Sequence, residues 1–236
     1  MNLSEILSES FKYPLSNLKR MLILGILLAL NILIIPAILS MGYYIRIIES
    51  SFQGSNELPP FNEWGKMFAD GLKYIVVLLI YLGIPAFIGS FIGSMLMFFI
   101  IYTDLNQTMG IYTFMAILYS VIILITIVPY FVSFMGITRM VRENSLKAAF
   151  EFTPVINVIK GFGTMRYIAA IVFISILNFA LILISLISQL VTTNLIIIYG
   201  ISIAMSLFIN SYLWGFQGRL ISNIYQEGSK EYNLTE

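Results

Sequence analysis

Residues that could do chemistry are few in this chain, and the two most versatile side chains are missing. There is no histidine and no cysteine, which removes the commonest general base, the commonest protein metal ligand and every thiolate reaction. No G-x-S-x-G turn and no phosphate-binding glycine-rich loop is present. An enzyme acting on lipid headgroups would require Glu57, Asp70, Arg46 and Arg139 to converge on one pocket. We therefore predict no enzyme activity, and no catalytic, cofactor-binding or metal-binding residue.

The helices of this chain can be predicted from the stretches that contain no charged residue. Mean hydropathy is +0.92 and only 11% of residues are charged, which is unlike a soluble domain. Four runs contain no Asp, Glu, Lys or Arg: residues 21–45, 74–103, 105–138 and 167–218. A helix needs roughly 20 apolar residues to cross a bilayer. The first three runs each accommodate one span, and the last, interrupted near 188–194, accommodates two.

These runs predict an all-α fold class: a polytopic transmembrane helix bundle of about five spans, in a single multi-pass membrane domain over residues 1–236. A soluble protein and a β-barrel are both disfavoured, because lipid requires internally bonded backbone and the runs are apolar on every face. The predicted spans lie near residues 21–41, 74–101, 111–135, 167–187 and 195–216.

Lysine and arginine are unevenly distributed among the connecting segments. Residues 46–73, residues 136–166 and the C-terminal tail carry most of them, whereas the short connections at 104–110 and 188–194 carry none. Basic loops are retained on the cytoplasmic side of a membrane. We therefore predict a cell-membrane protein with a cytoplasmic C-terminus.

The first apolar run leaves two topologies open. Five crossings with a cytoplasmic C-terminus would place residues 1–20 outside, although they carry three basic residues. Either this tail is exported despite its charge, or run 21–45 bends near residues 31–36 and re-enters. We favour a single crossing, because a helix of that length reaches about 37 Å in one direction.

The best-marked loop covers residues 42–74. Pro59 and Pro60 break the preceding helix, and Asn62 is a candidate N-cap for a new one. Apolar residues from Phe61 onward then recur at helical spacing, with charges largely on the other face. This pattern predicts a short interfacial amphipathic helix with its aromatic residues at headgroup level. The functional alternative is a docking surface for a soluble partner, or a lid over a substrate path.

The same loop carries a family resemblance. The residues concerned are Gly42-Tyr43-Tyr44-Ile45-Arg46, Gly54, Glu57-Leu58-Pro59-Pro60-Phe61, Trp64, Phe68 and Asp70-Gly71-Leu72-Lys73. This pattern resembles the signature of an archaeal multi-pass membrane family, domain of unknown function 4013. The resemblance implies a membrane location and an archaeal origin, and it assigns no catalytic residue. The candidate signature or interfacial-loop residues are Gly42, Tyr43, Arg46, Pro59, Pro60, Trp64, Asp70, Gly71 and Lys73.

Small and polar residues inside the spans predict helix packing. Gly89 and Gly93 form a G-x-x-x-G match, which permits close approach of a helix from the same chain or from a second copy. A homo-oligomer through this pair is thus one expectation. We interpret Asn31, Asn178 and Asn210 mainly as residues that form hydrogen bonds between helices. No charged residue lies in the runs, which argues against a pump driven through intramembrane carboxylates.

Three functional hypotheses follow. The first, which we favour, is a non-catalytic membrane component that organises lipid or partner proteins through its basic cytoplasmic loops. Its expected partners are the lipid bilayer and anionic headgroups near Arg139, Arg142 and Lys147, and the scattered charges do not suit nucleic acid. The second is a small carrier or channel for neutral or amphipathic compounds. The third is the headgroup enzyme considered above.

Overall fold

The computed structural model describes residues 3–102 and 111–231, and this part of the chain is helical with no β-strand. The predicted connection at 104–110 lies outside the described residues. The α-helices are α1 (Leu3–Lys12), α2 (Leu18–Ala29), α3 (Ile34–Phe52), α4 (Trp64–Leu78), α5 (Ile84–Tyr102), α6 (Ile111–Arg142), α7 (Phe152–Phe162), α8 (Thr164–Val191), α9 (Leu195–Ala204) and α10 (Ser211–Glu231). Short 3-10 turns occupy Tyr13–Ser16 and Leu146–Phe150, and π-helical turns occupy Leu79–Gly83 and Met205–Asn210.

Four helical stretches of the described chain are long and apolar enough to cross a membrane. They are Trp64–Phe99, Met115–Arg142, Thr164–Val191 and Leu195–Glu231. Their outward side chains are apolar: Phe98 is 74% exposed and Leu124 is 72% exposed. Exposed apolar surface along a whole helix suits lipid rather than water. The predicted fold class, an all-helical membrane protein, is confirmed, with four such helices where about five were expected.

The first apolar run does not form one long helix. It is divided into α2 and α3 by a break at residues 30–33. Leu33 is extended, and Pro36 lies in the first turn of α3, where its missing N–H removes no helical hydrogen bond. With 12 residues, α2 extends only about 18 Å, less than the roughly 30 Å hydrocarbon core. The run therefore does not form the one long helix that we expected, and its helix–break–helix hairpin favours the re-entrant alternative. The number of crossings made by this segment stays a prediction.

Contacts at both ends of this hairpin show that the chain returns to where it started. Ser16, just before α2, accepts a hydrogen bond from the backbone of Leu58 at 3.1 Å. Tyr43, in the middle of α3, donates a hydrogen bond to the carbonyl of Pro59, the residue that follows Leu58, at 2.8 Å. The start of α2 and the second half of α3 thus meet the same loop. The N-terminal segment also joins α10, because Tyr212 donates to the carbonyl of Phe11 at 2.8 Å.

The helices form two compact units, Met1–Ile75 with Met135–Glu236, and Val76–Phe134. All 13 Lys and Arg residues belong to the first unit. The second contains none, and Asp104 is its only ionisable acid. The divisions fall inside the continuous helices α4 and α6, so the single membrane domain predicted for 1–236 stays a prediction.

The amphipathic helix predicted after Pro60 is not a separate element. Trp64 begins α4, which continues through the π-helical turn at Leu79–Gly83 into α5. Asn62 does not serve as a free N-cap, because its side-chain oxygen accepts a hydrogen bond from Arg46 at 2.8 Å. The apolar residues after Pro60 do recur at helical spacing, but they form the first turns of a helix that is long enough to span a membrane. A short amphipathic helix occurs instead at α7, between α6 and α8.

Single-cysteine labelling tests the hairpin, since the natural chain is free of cysteine. We expect a membrane-impermeant maleimide to reach cysteines at Ser4, Gln53 and Ser145 from one side of the membrane, and a cysteine at Thr193 only from the other. The physical reason is that the first unit packs α1, the loop after α3 and α10 together. Labelling of Ser4 from the side of Thr193 would contradict the re-entrant assignment.

Candidate functional site

The loop between α3 and α4, residues 53–63, is the most heavily bonded irregular segment in the described chain; we call it the signature loop. Most of its carbonyl groups accept a hydrogen bond from a side chain elsewhere. The acceptors, in chain order, are Ser55 from Arg219, Glu57 from Tyr13, Leu58 from Arg20, Pro59 from Tyr43, and Pro60, Asn62 and Glu63 from Arg46. Irregular backbone next to apolar helices needs such partners, because an unpaired carbonyl buried there is costly.

Arg46 binds the second half of the signature loop. Its guanidinium donates to the carbonyls of Pro60 at 3.3 Å and Glu63 at 3.1 Å, and to the side chain of Asn62 at 2.8 Å. The Glu63 carboxylate lies 3.6 Å away. Arg46 is only 6% exposed, and the planar fork with several donors is what lets one buried side chain satisfy several oxygens.

Arg219 binds the first half of the loop from α10. It donates to the Ser55 carbonyl at 2.9 Å and to the Asn56 side chain at 3.2 Å, and it pairs with Glu9 of α1. Its guanidinium also lies 5.1 Å from the centre of the Tyr13 ring, a cation–π contact. Arg219 is 5% exposed. One side chain thus joins α1, α10 and the signature loop.

Two buried tyrosines complete the support. Tyr43 stacks on Phe61, with ring centres 4.0 Å apart and an interplanar angle of 2°. Burial raises the pKa of Tyr43 and of Tyr13 above the ordinary value for a phenol. Both hydroxyls therefore stay protonated and remain hydrogen-bond donors to the loop.

The signature glycines explain how closely α3 and α4 cross. A Cβ added at Gly42 would overlap the carbonyl oxygen of Met67, and one added at Gly71 would overlap that of Ile38. The two contacts are reciprocal: each helix presents a glycine to a carbonyl of the other. Only hydrogen at these positions permits this backbone approach. The glycines are therefore packing positions that hold α4 against the hairpin.

The remaining signature residues lie apart from the carbonyl contacts. Asp70 is buried and pairs with Lys73 at 2.8 Å. It lines a small cleft with Lys66 and Ser145, which adjoins the cavity at the signature loop through Glu49 and Lys66. Trp64 is 47% exposed, at the start of α4. Sequence reasoning thus gathered residues with different surroundings into one group.

The four residues required by the headgroup-enzyme hypothesis do not converge. Arg46 and Glu57 line one polar cavity, of about 440 Å³, beside the signature loop. Asp70 lines the adjoining cleft and not this cavity. Arg139 lines neither and pairs with Glu151 at 2.7 Å. The cavity at the loop is also balanced in charge. Its three cations each have a carboxylate partner: Arg20 with Glu57, Arg46 with Glu63, and Lys66 with Glu49.

Unpaired positive charge is concentrated between α6 and α8. Arg142, Lys147, Lys160 and Arg166 are exposed, and none has a carboxylate within ion-pair distance in the described residues. We call these four residues the basic surface. The helix α7 contributes Phe152 and Ile156, which are 54% and 40% exposed, on the same helical face as Lys160. The opposite face of α7 is buried.

A second polar cavity lies among the spanning helices of the first unit. Its volume is about 320 Å³, and it is lined by Asn178, Leu181, Ile182, Ser185, Ser202, Met205, Ser206 and Asn210. Asn31 is not part of it. Asn31 lies at the hairpin bend and accepts a hydrogen bond from Ser40 at 3.2 Å. The structure thus gathers two of the three asparagines singled out in the sequence.

The glycine pair of α5 faces another helix of the same chain. Gly89 lies against Ile122 of α6, and a Cβ added at Gly93 would overlap Leu118 of α6. This packing is internal to the second unit. The homo-oligomer expected through Gly89 and Gly93 stays a prediction.

Comparison with known proteins adds one match. Residues 23–192, more than half of the chain, match the family described as protein of unknown function (DUF4013). The chain belongs to this family. The matched range includes part of α2, the signature loop and all of α3 to α8. The contacts of Arg46 and the crossing at Gly42 and Gly71 therefore lie within the DUF4013 region. The archaeal origin implied by the resemblance stays a prediction.

Beyond DUF4013, the comparisons give no function. No curated protein matches the chain, and no solved structure matches it. Neither a catalytic family nor a named relative is found, and within the described residues no group of three or more Asp or Glu could hold a metal ion. The findings therefore support one statement about function, namely that this DUF4013 protein is a membrane protein.

Sequence reasoning missed three of the five side chains that donate hydrogen bonds to the carbonyls of the signature loop. Tyr13, Arg20 and Arg219 lie outside the loop pattern. Arg219 is separated from its Ser55 contact by 164 residues. The signal available in the sequence was an arginine following an apolar run, which by itself predicts only a side chain at the membrane interface.

Replacing Gly71 by alanine tests the close crossing. We expect Gly71→Ala to lower the stability by about 1–3 kcal/mol, because the added methyl group overlaps backbone that has no room to move. Thermal unfolding of the purified protein in detergent measures this. Gly65→Ala, in the first turn of the same helix, is the matched control: nothing lies within 4 Å of its Cβ position. Equal melting temperatures for the two variants would contradict the crossing.

Replacing Arg46 by methionine tests the carbonyl contacts. Each carbonyl left without a donor costs about 1–3 kcal/mol, so Arg46→Met should open the signature loop. A glutamate-specific protease should then cleave at Glu57 or Glu63 at least about tenfold faster than in the natural protein. Lys160→Met removes an exposed, unpaired cation elsewhere and serves as the control. Unchanged cleavage in Arg46→Met would show that the loop is held by other contacts.

Proposed function

We propose that this DUF4013 protein is a non-catalytic membrane component that binds anionic lipid headgroups at its basic surface. The observation that carries the proposal is that Arg142, Lys147, Lys160 and Arg166 are exposed and have no carboxylate partner among the described residues, although Arg142 also lies over the Phe52 ring. In this part of the chain, seven of the nine other basic residues have a carboxylate partner, and the two that do not, Lys12 and Lys19, belong to the N-terminal segment. A cation without a protein partner is free to pair with a phosphate.

The position of α7 supports contact with a membrane surface. A helix that lies in the interface presents apolar side chains to the acyl chains and lysine to the headgroups. Phe152, Ile156 and Lys160 follow one another at intervals of four residues, and therefore share a face. The buried face, with Val155 and Phe162, holds α7 on the first unit.

Orientation supports the same proposal. Unpaired lysine and arginine next to spanning helices are retained in the cytoplasm, where the anionic leaflet attracts each such charge by about 1 kcal/mol. The re-entrant hairpin brings the basic N-terminal segment to the end of the bundle that also bears the basic surface. The proposed topology therefore has the N-terminus, the basic surface and the C-terminus in the cytoplasm.

A small carrier or channel for neutral or amphipathic compounds is the second candidate. The observation that favours it is the cavity shared by Asn178 and Asn210. Asn31 lies at the hairpin bend, outside this cavity. The carrier hypothesis is therefore not supported by a polar pathway through all three asparagines. Proteoliposomes that take up a neutral polyol no faster than empty vesicles would remove this candidate.

Native mass spectrometry of bound lipid tests the headgroup proposal. Extracted in mixed micelles, the full-length protein should retain phosphatidylglycerol in preference to phosphatidylcholine. We expect the double variant Lys147→Gln/Lys160→Gln to reduce this preference about tenfold to thirtyfold, because each of the two charges contributes about 1 kcal/mol and about 1.4 kcal/mol corresponds to tenfold.

The matched control is Lys147→Arg/Lys160→Arg, which keeps both charges and should keep the preference. Raised salt should weaken lipid retention in the natural protein and in this control alike. Equal retention of the two lipids by the natural protein would overturn the proposal and leave a protein partner as the occupant of the basic surface.

A further inference from the structure

The intramembrane cavity lined by Asn178, Ser185, Ser206 and Asn210 is the feature that neither the family nor the headgroup proposal explains. It lies among helices that are long and apolar enough to cross a membrane. Asn178 is 14 residues from the start of α8, and Asn210 is 15 residues from the start of α9, which places each about 21–23 Å along its helix. Both positions are near the middle of stretches long enough to cross about 30 Å of hydrocarbon.

Three side chains facing this cavity have no hydrogen-bond partner among the described residues: Ser185, Ser206 and Asn210. By contrast, Ser202, which also lines the cavity, donates to the carbonyl four residues earlier at 2.9 Å, as serines in helices commonly do. Asn178 is satisfied by Ile174 and by Gln217. Ser185, Ser206 and Asn210 are partly exposed to the cavity, and their hydrogen-bonding groups are available to a bound molecule.

An unpaired amide in hydrocarbon is unfavourable, so the cavity suits an occupant with hydrogen-bonding groups. The π-helical turn at Met205–Asn210 contributes both Ser206 and Asn210 to the lining. Such turns inside α-helices are frequent at functional sites. The cavity volume of about 320 Å³ corresponds to roughly ten water molecules, or to a compact polar headgroup.

The lining determines the chemistry of the occupant. None of the eight lining residues is ionisable, so a charged headgroup would enter without a counter-charge, at a large desolvation cost. Serine hydroxyls and asparagine amides both donate and accept hydrogen bonds, which suits a hydroxyl-bearing group. Ile182, on the edge of the cavity, is 55% exposed, and it offers apolar surface to an alkyl chain arriving from the lipid.

We propose that this cavity binds the uncharged, hydroxyl-bearing headgroup of an amphiphile, whose alkyl chain lies outward past Ile182. The site is independent of the basic surface, because it lies among the spanning helices and involves no cation. It is a binding site and requires no chemical step.

Photolabelling of the full-length protein in nanodiscs tests the site. The probe is a monoacylglycerol with a diazirine in the acyl chain close to the glycerol headgroup. We expect labelling of peptides from α8 and from residues 195–210, and competition by unlabelled monoacylglycerol. A fatty acid with the same diazirine chain carries a charged head, and should label these peptides at least about tenfold less.

Asn210→Leu is the decisive variant. It should reduce specific labelling about threefold to tenfold, the effect of losing one or two neutral hydrogen bonds. Its melting temperature should be unchanged or raised, because the amide has no partner in the protein. Asn31→Leu, at the hairpin bend outside the cavity, should label like the natural protein.

Three results would overturn the proposal. They are equal labelling of Asn210→Leu and the natural protein, equal labelling by the two probes, and labelling spread evenly over all spanning helices. Each would mean that water or bulk lipid fills the cavity. None of them bears on phosphatidylglycerol retention at the basic surface, so the two proposals can fail separately.

Discussion

The hydrogen bonding of one irregular loop organises the first unit of this protein. Backbone that leaves helical geometry beside apolar helices cannot rely on water for every carbonyl. In the signature loop, arginines from three separate helices and two tyrosines supply the donors. Arg46 comes from α3, Arg20 from α2 and Arg219 from α10. The loop can keep this shape only while the hairpin, α1 and α10 stay together, so its bonds fix their arrangement as well.

The re-entrant hairpin follows from the same constraint. Arg20 at the start of α2 and Tyr43 in α3 bind consecutive carbonyls of the loop, those of Leu58 and Pro59. The two helices must therefore return to a common place, and the break at residues 30–33 permits it. One consequence is electrostatic. Every Lys and Arg belongs to the first unit, and the charged N-terminal segment need not be exported, which removes the conflict with the retention of basic segments in the cytoplasm.

Two kinds of polar site result from this arrangement, and they differ in how their groups are satisfied. The cavity beside the signature loop contains several charges, but they are paired with one another. The intramembrane cavity contains no charge, yet Ser185, Ser206 and Asn210 lack partners among the described residues. Satisfied polar groups hold a structure, whereas unsatisfied ones in a low-dielectric medium call for a ligand. This contrast assigns a structural role to the first site and favours binding at the second.

The membrane class, the all-helical fold and the family could be predicted from the amino-acid sequence, because hydropathy is a sum over neighbouring residues and the loop pattern is contiguous. The loop pattern also singled out Gly42, Arg46 and Gly71 without saying what they contact. The folded protein was needed to show that run 21–45 turns back, that Glu57 and Asp70 line different clefts, and that Asn178 and Asn210 share a cavity. These features depend on contacts between residues that are far apart along the chain. The decisive bonds join Arg219 to Glu9, 210 residues apart, and Gln217 of α10 to Asn178 of α8, 39 residues apart. No local pattern of apolar and charged residues encodes such pairings.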